Sequence, residues 1–409
     1  VNATCFEEAI AGATRNADPV DADPETPAVI LFTSGTTGRP KGAVLTQRNI
    51  TNFAANLQFL GATGLTLAAK RFGVATDVLR QMVPPVSTLL VSPLFHISAL
   101  TAFFGAIQVG GMLTTIRRWR AEEALPLISR NRITMLSGPP LILGDLLDQP
   151  GASEHLTTIN HIGVGGQATP VSLITRVAQA LPMAAQGGGW GMTEVTGSAT
   201  ALSGPVFAAR PTSAGRLSPL LELRVVDDEG HDAPVGAAGE LWLHGSLIMQ
   251  GYWNAPEATA AAFEGDWYKT GDVGFVDSDG FVFIVDRKKD MVICGGENIY
   301  CAEVERVLSS DEAFLEVSLF GIPDDRLGER AIAAVTLREG HRRTEEAEKK
   351  FARASLADYK VPSEVVFDLG PFPRNATSKI DKAKLRAAYF ERPHSTARAG
   401  RVVPIPGEL

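Results

Sequence analysis

Positions 33–42 read TSGTTGRPKG, packing hydroxyls, glycines and one lysine into ten positions directly after the apolar run AVILF. Such a loop can wrap backbone N–H groups and hydroxyls around phosphate oxygens, with Lys41 adding a positive charge. It is not a Walker A loop, because Pro40 and Gly42 flank Lys41 where that motif needs glycine before the lysine and Ser or Thr after it. A plain glycine-rich turn is the alternative for any loop of this kind. Further along, GWGMTE at 189–194 sets an indole beside a hydroxyl and a carboxylate. Trp190 offers a flat face for an adenine ring, and Thr193 with Glu194 offers oxygens for a hard cation such as Mg²⁺. A core role is the competing reading of Trp190. Asp272, in YKTGD at 268–272, has acceptor oxygens suited to two ribose hydroxyls, and Arg287 can donate to the same sugar. A surface-turn aspartate is the alternative there. Lys379 near the C-terminus could place a cation between a carboxylate and a phosphate that approach each other. Most lysines in such positions are merely solvated.

The elements that must position these groups are legible as two textures. Apolar runs of strand length (AVILF, STLLV, ITML, HIGV) alternate with helical patterns such as 141–147 and 171–181, a rhythm that reads as parallel strands with crossover helices. After Pro219 short alternating strands take over, with a hairpin turn at Asp279 and Gly280, which predicts a smaller barrel-like antiparallel subdomain. Beyond Asp290, helices at 302–308, 346–356 and 382–389 mix with the strands FLEVSLF, AIAAVTL and EVVFD, predicting a compact α+β domain. The expected division is a large domain over 1–286, with its β-rich part at about 216–286, a junction at 287–290, a small domain over 291–392 and a Pro/Arg-rich tail over 393–409. The fold class expected is α/β.

The phosphate loop resembles that of the adenylate-forming (AMP-binding) superfamily, on its acyl-CoA synthetase branch. Five more segments occur in that family's order: PLFH at 93–96, GWGMTE, YKTGD, DRKKDMVICGGENIYCAEVE at 286–305 and NATSKIDK at 375–382. Together they span nearly the whole chain. The resemblance implies that Thr33, Ser34, Gly35, Thr36, Thr37, Gly38, Lys41, Gly166, Gln167, Ala168, Gly189, Trp190, Gly191, Met192, Thr193, Asp272, Arg287 and Lys379 bind nucleotide. It implies that Glu194 ligates the Mg²⁺ accompanying ATP, that Lys379, Glu194 and Thr193 are catalytic, and that Lys289 is the hinge about which the small domain rotates. That rotation would exchange the face bearing Lys379 for the face bearing Gly295 and Gly296, which would line the coenzyme A tunnel; two adjacent glycines let a backbone approach a thin pantetheine arm closely. Phe95, His96, Gly165 and Gly166 resemble the acyl pocket and gate, although His96 reads equally as a satisfied core histidine.

What the resemblance implies is an ATP-dependent acyl-CoA synthetase that takes ATP, coenzyme A and a fatty or aromatic acid. Amino-acid-activating relatives carry an aspartate just after the PLFH segment, where this chain has Ile97, Ser98, Ala99 and Leu100. Two other readings stay open: an acyl-AMP ligase that donates to a carrier protein, and an inactive adenylate-binding protein. Two positions depart from the family pattern, Ser378 where glycine is usual and Cys301 where proline is usual. The family also has a long stretch before the phosphate loop where this chain has about thirty residues, and the first residue is Val1; the expectation is a sequence that begins within a longer protein rather than a short form.

Bulk composition sets bounds on these readings. With 409 residues, 45% hydrophobic and 21% charged, the chain is of ordinary globular make-up and long enough for two domains. A net charge of −8 argues against nucleic acid or an anionic membrane as partner, so any polyphosphate must be held locally. The three cysteines, Cys5, Cys294 and Cys301, form no CxxC pair, and the histidines show no metal-ligand spacing. The uncharged stretch 97–116 contains Ser98, Thr101, Gln108 and three glycines, and reads as a buried helix and strand rather than a bilayer span. The first residues lack a signal-peptide pattern, so a cytoplasmic location is expected. A homodimer is left open.

Overall fold

The computed structural model describes residues 20–33, 40–165, 169–375 and 379–392. Ser34, Gly35, Thr36, Thr37, Gly38, Gly166, Gln167, Ala168, Cys5 and Ser378 lie outside the described residues.

A single hydrogen-bonded path of strands forms the spine of the large domain. It runs Leu221–Val226, Gly239–Gly245, Trp267–Val276, Phe281–Arg287, Gly215–Leu217, Thr200–Ser203, Ala185–Gly188, His161–Val164, Met135–Gly138, Ser87–Leu90 and Met112–Thr115. The last five are mutually parallel, as the alternation of apolar runs with helical patterns predicts. Leu89, Leu136 and Ile162 from these strands pack with Ile128, Leu146 and Val177 from the flanking helices into one core cluster. Each such side chain, fully buried, contributes roughly 1.5–3 kcal/mol. Helices at Pro140–Leu147 and Val171–Ala180 fall within a residue of where the apolar spacing places them.

The antiparallel strands extend this sheet rather than closing on themselves among the described residues. Thr200–Ser203 pairs on one side with Ala185–Gly188 and on the other with Gly215–Leu217, and so carries the parallel sheet into the antiparallel part. The stretch 97–116 forms the helix Ile97–Gln108 and the strand Met112–Thr115. It is less buried than expected: Ile107 and Met112 are exposed. Among the described residues no helix is long and apolar enough to cross a membrane.

One strand departs from the expected topology. The run AVILF lies in Pro27–Thr33 but does not join the parallel sheet; it pairs antiparallel with Lys41–Thr46 in a separate three-stranded sheet. Two apolar strands seven positions apart are joined too closely for a parallel crossover, which needs a dozen residues or more. The phosphate loop therefore bridges a hairpin, from Thr33 to its cross-strand partner Lys41. The hairpin is anchored by a capping box at the start of the helix Gln47–Phe72: Asn49 N–H donates to the Thr46 hydroxyl at 3.3 Å and Thr46 N–H donates to Asn49 Oδ1 at 2.8 Å. The Asn49 amide then donates to the carbonyls of Ser246 and Ile248, tying the hairpin to the antiparallel sheet.

The small α+β domain has its own sheet, in the order Glu297–Ile299, Val292–Cys294, Gly328–Leu337 and Phe314–Asp324, with Glu364–Val366 beside Gly328–Leu337. The helix Cys301–Leu308 packs Val304 and Leu308 into its core with Leu319 and Val335. Cys301 opens that helix, fully buried, with its thiol on the carbonyl of Asp290 at 2.9 Å. A thiol can make this bond where proline has only ring carbons, and burial pushes its pKa up, so it stays protonated.

Candidate active site

Thr33, Lys41, Phe95, His96, Gly165, Gly189, Trp190, Gly191, Met192, Thr193, Glu194, Arg287, Lys289 and Lys379 all border one cavity. Its volume, about 4510 Å³, is several times the roughly 300–1,000 Å³ of a typical ligand pocket, so its size selects no particular acid. Two expected groups are not on its wall. Gly295 and Gly296 form the two-residue turn between Val292–Cys294 and Glu297–Ile299, with φ of 62° and 87°. That geometry demands glycine for the hairpin itself. Asp272 is 4% exposed and off the wall, while its partners Trp190 and Arg287 border the cavity.

The Asp272 carboxylate accepts from the Trp190 indole N–H at 2.6 Å, and Arg287 Nε is 3.0 Å from its other oxygen. Asp272 and Arg287 are cross-strand partners, which is how the strands Trp267–Val276 and Phe281–Arg287 bring them together. Burial raises the Asp272 pKa, while Arg287 and the indole oppose the shift. Trp190 is itself 8% exposed and part of the core cluster with Leu241 and Val282, so its core reading and its place on the cavity wall are both realised. Its neighbours owe their identity to packing: a methyl group at Gly191 would fall 1.8 Å from the Gly197 carbonyl oxygen, and one at Gly189 would fall 2.2 Å from that of Thr200. Gly165 has open space where a side chain would begin.

Lys379 reaches the cavity from the small domain with its backbone tied to Asn375: its N–H donates to Asn375 Oδ1 at 3.1 Å, and Asn375 N–H donates to the Lys379 carbonyl at 2.9 Å. Burial lowers the Lys379 pKa, and the nearby cations Arg287 and Lys289 lower it further, with Asp272 the one opposing charge. Lys379, Arg287 and Lys289 border the cavity along with Asp290 and Glu194, and the three cations offer charge that a polyphosphate would meet.

Glu194 is buried in the turn Thr193–Val195, at 8% exposure, and accepts from the Tyr252 hydroxyl at 3.0 Å. Among the described residues it has no ion pair within 4.0 Å, and no cluster of three or more His, Cys, Asp or Glu side chains could hold a metal alone. One carboxylate with a neighbouring hydroxyl fits Mg²⁺, which keeps most of its shell for water and phosphate oxygens; it would not fit a tightly chelated transition metal. Sequence reasoning missed Tyr252. It sits in a two-residue strand, Gly251–Tyr252, too short for any periodicity to mark it.

His96 caps the helix Ile97–Gln108, with Ser98 N–H donating to its Nδ1 at 3.3 Å and the Ser98 hydroxyl 2.7 Å away. With Nδ1 accepting, the ring proton resides on Nε2. Burial and then Lys379 lower the His96 pKa, which favours a neutral imidazole. Phe95 beside it is 60% exposed. His96 itself is half-buried and satisfied by Ser98 at the cavity wall.

At the junction of the two domains, Asp286 is 6% exposed and accepts from Arg287 N–H at 2.7 Å and from Ala302 N–H at 3.4 Å, at the start of the helix Cys301–Leu308. Burial pushes its carboxyl up to about 6.

Comparison with known proteins adds the lineage. Residues 2–253 match the AMP-binding enzyme family and residues 303–379 match the AMP-binding enzyme C-terminal domain. The mitochondrial medium-chain acyl-CoA ligase of Rattus norvegicus is 35% identical over 88% of this chain and 57% of its own length. An indoleacetate–CoA ligase of Aromatoleum aromaticum is 33% identical over 91% of this chain and 70% of its own length. The chain thus spans little more than half of the first of these relatives. Among solved structures, ATP-bound MatB of Rhodopseudomonas palustris superimposes with a TM-score of 0.80 at 27% identity, covering 94% of this chain and 72% of that one. An o-succinylbenzoate CoA synthetase of Bacillus subtilis, in complex with its acyl-adenylate intermediate, gives 0.73 at 29% identity, over 93% and 71%. The chain belongs to the AMP-binding enzyme family.

Proposed function

We propose that the protein is an AMP-forming acyl-CoA synthetase acting on a fatty or aromatic carboxylic acid. The observation that carries this reading is the meeting of Lys379, Arg287 and Lys289 on the wall of a cavity that also bears Lys41 and Glu194, with the buried Asp272 beside Arg287 and Lys379. In the first half-reaction a carboxylate oxygen of the acid attacks the α-phosphorus of ATP, the bond from that phosphorus to the bridging oxygen breaks, and pyrophosphate leaves with the electron pair. Lys379, on the cavity wall, would offset the charge that builds as the two anions meet. His96, on the cavity wall with its Nδ1 accepting from Ser98 N–H, would offer Nε2–H to the acid. Mg²⁺, held by Glu194 with Thr193 beside it, would neutralise charge on the triphosphate. In the second half-reaction the thiolate sulfur of coenzyme A attacks the acyl carbon and AMP leaves.

Because the Gly295–Gly296 turn is off the cavity wall, the second half-reaction needs a different arrangement of the small domain. Residues 287–290, with Lys289 as pivot, are the proposed hinge. The relatives named as CoA ligases support coenzyme A as acceptor. A structural neighbour named as an amide bond synthetase, from Marinactinospora thermotolerans, with a TM-score of 0.79, makes the acceptor a point for experiment. Mass spectrometry of product mixtures from ATP, Mg²⁺ and a panel of acids, with coenzyme A, an amine or no acceptor, tests the reading. Acyl-CoA appearing only with coenzyme A supports it; acyl-AMP that accumulates and never passes to coenzyme A favours an acyl-AMP ligase, and no product with any acid favours an adenylate-binding protein.

A further inference from the structure

The two-residue strand Gly251–Tyr252 pairs with Lys41–Thr46, with Tyr252 opposite Ala43 and Gly251 opposite Val44. Trp253 N–H donates to the Gly42 carbonyl at 2.7 Å, extending the pairing toward the phosphate loop. Side chains alternate along a strand, so Lys41 and Ala43 share a face, and the residue opposite Ala43 is a diagonal neighbour of Lys41. The Lys41 ammonium accordingly lies 5.1 Å from the centroid of the Tyr252 ring. At its far end the same ring carries the hydroxyl that donates to Glu194. One tyrosine therefore touches both the lysine that closes the phosphate loop and the carboxylate expected to hold the metal.

Tyr252 is fixed at its root. Its N–H donates to the Thr259 hydroxyl at 2.9 Å, and a methyl group at Gly251 would fall 2.8 Å from Thr259 Cγ2. Its hydroxyl is held at the other end by Glu194, at 3.0 Å. Among the described residues neither Lys41 nor Glu194 has an ion-pair partner within 4.0 Å. The tyrosine touches both.

We propose that Tyr252 is a positioning residue for the nucleotide–metal complex, its hydroxyl aiming Glu194 at the cation and its ring aiming Lys41 at the triphosphate. The proposal rests on the adenylate-forming reading above. Hydrogen bonds behind a metal ligand are worth roughly 10- to 100-fold in metal affinity. A lysine–aromatic contact at a partly exposed site is worth about 0.5–1 kcal/mol, or roughly two- to fivefold in affinity.

The two functions separate in two variants. Tyr252→Phe keeps the ring and removes the hydroxyl; Tyr252→Leu removes both. Mn²⁺ binding to the protein–ATP complex, followed by the loss of the free-ion electron paramagnetic resonance signal, reads the first function. Calorimetric titration of ATP in EDTA reads the second, and neither needs an acid or turnover. Tyr252→Phe is expected to weaken Mn²⁺ by about tenfold or more while leaving metal-free ATP affinity within about twofold. Tyr252→Leu should add a roughly two- to fivefold loss of metal-free ATP affinity. Wild-type Mn²⁺ affinity in Tyr252→Phe overturns the proposal. So does an equal loss of ATP affinity with and without metal in Tyr252→Phe, which would mark a merely structural role. If Tyr252→Leu does not fold, Tyr252→Phe carries the test alone. Failure of the wild-type protein to bind ATP under any condition removes the adenylate-forming reading itself, and this proposal with it.

Discussion

Replacing Asp272 with asparagine separates a structural from a nucleotide-binding role, because the two roles carry different magnitudes. The carboxylate has a donor on each oxygen, the Trp190 indole at 2.6 Å and the Arg287 guanidinium at 3.0 Å. An amide keeps one acceptor and turns an N–H toward the other donor, leaving that donor unpaired at a cost of about 1–3 kcal/mol. Part of that loss is offset, since burial already disfavours the charged form of Asp272 and the neutral amide escapes this penalty. The Arg287 side chain is 49% exposed, so its lost ion pair is discounted by solvent screening. The net change in stability should be about 1–2 kcal/mol. Ribose binding is another matter. With Asp272 only 4% exposed, a sugar can reach it only if the side chains around it move, and the hydrogen bonds then formed are to a charge, each about 1.5–3 kcal/mol. Losing one of them weakens nucleotide binding by about 10- to 100-fold. Calorimetric titration of AMP alongside urea unfolding measures both quantities on one preparation. AMP binding at wild-type strength, together with the modest loss of stability, would refute the ribose role and leave Asp272 as the buried anchor of Trp190 and Arg287.

Gly191→Ala should fail to fold or lose several kcal/mol, because the added methyl meets the Gly197 carbonyl oxygen at 1.8 Å; thermal unfolding checks this, and a stable variant would mean the two backbones can part. His96→Ala should raise the KM for the acid about tenfold, with ATP affinity unchanged, as steady-state kinetics against calorimetry will show; an equal loss in both would place His96 in packing rather than substrate binding. Asp286 bears on stability against pH. Its folded pKa, about 6, lies above its ordinary 3.8, so the folded state holds the proton more tightly and stability rises as pH falls from about 6 toward 4, then is lost again as pH climbs through 6. That contribution is at most about 3 kcal/mol, and Asp286→Asn should flatten this part of the profile measured by denaturant unfolding from pH 4.5 to 8; an unchanged profile would assign the titration to another group, with Glu305, Asp290 and Lys382 the charges that face it.

The site was readable to the degree that its residues sit in long, compositionally marked segments. The phosphate loop, GWGMTE and the terminal lysine segment stand out by residue type, and Lys41, Trp190, Glu194 and Lys379 do converge on one cavity. The parallel strands were legible because their apolar runs alternate with one-sided helices. Register and pairing were not. Pro27–Thr33 has the composition of a parallel core strand, but the short loop after it enforces a hairpin. Gly189 and Gly191, expected to bind nucleotide, also stand at close backbone approaches to Thr200 and Gly197, which are invisible without coordinates. Tyr252 acts through a two-residue strand and two long-range contacts, none of which leaves a local pattern. Asp272 was legible as an acceptor, whereas its burial beside Trp190 and Arg287 depends on the pairing of two strands.

Acid-dependent exchange of labelled pyrophosphate into ATP, without coenzyme A, tests adenylate formation most directly, in the wild-type protein and in Lys379→Ala. Exchange that requires both an acid and Mg²⁺, and falls by about 10²- to 10³-fold in the variant, is the expected result. Exchange that persists in Lys379→Ala at the wild-type rate would contradict the role given to that lysine, and ATP binding without exchange for any fatty or aromatic acid would contradict the synthetase reading.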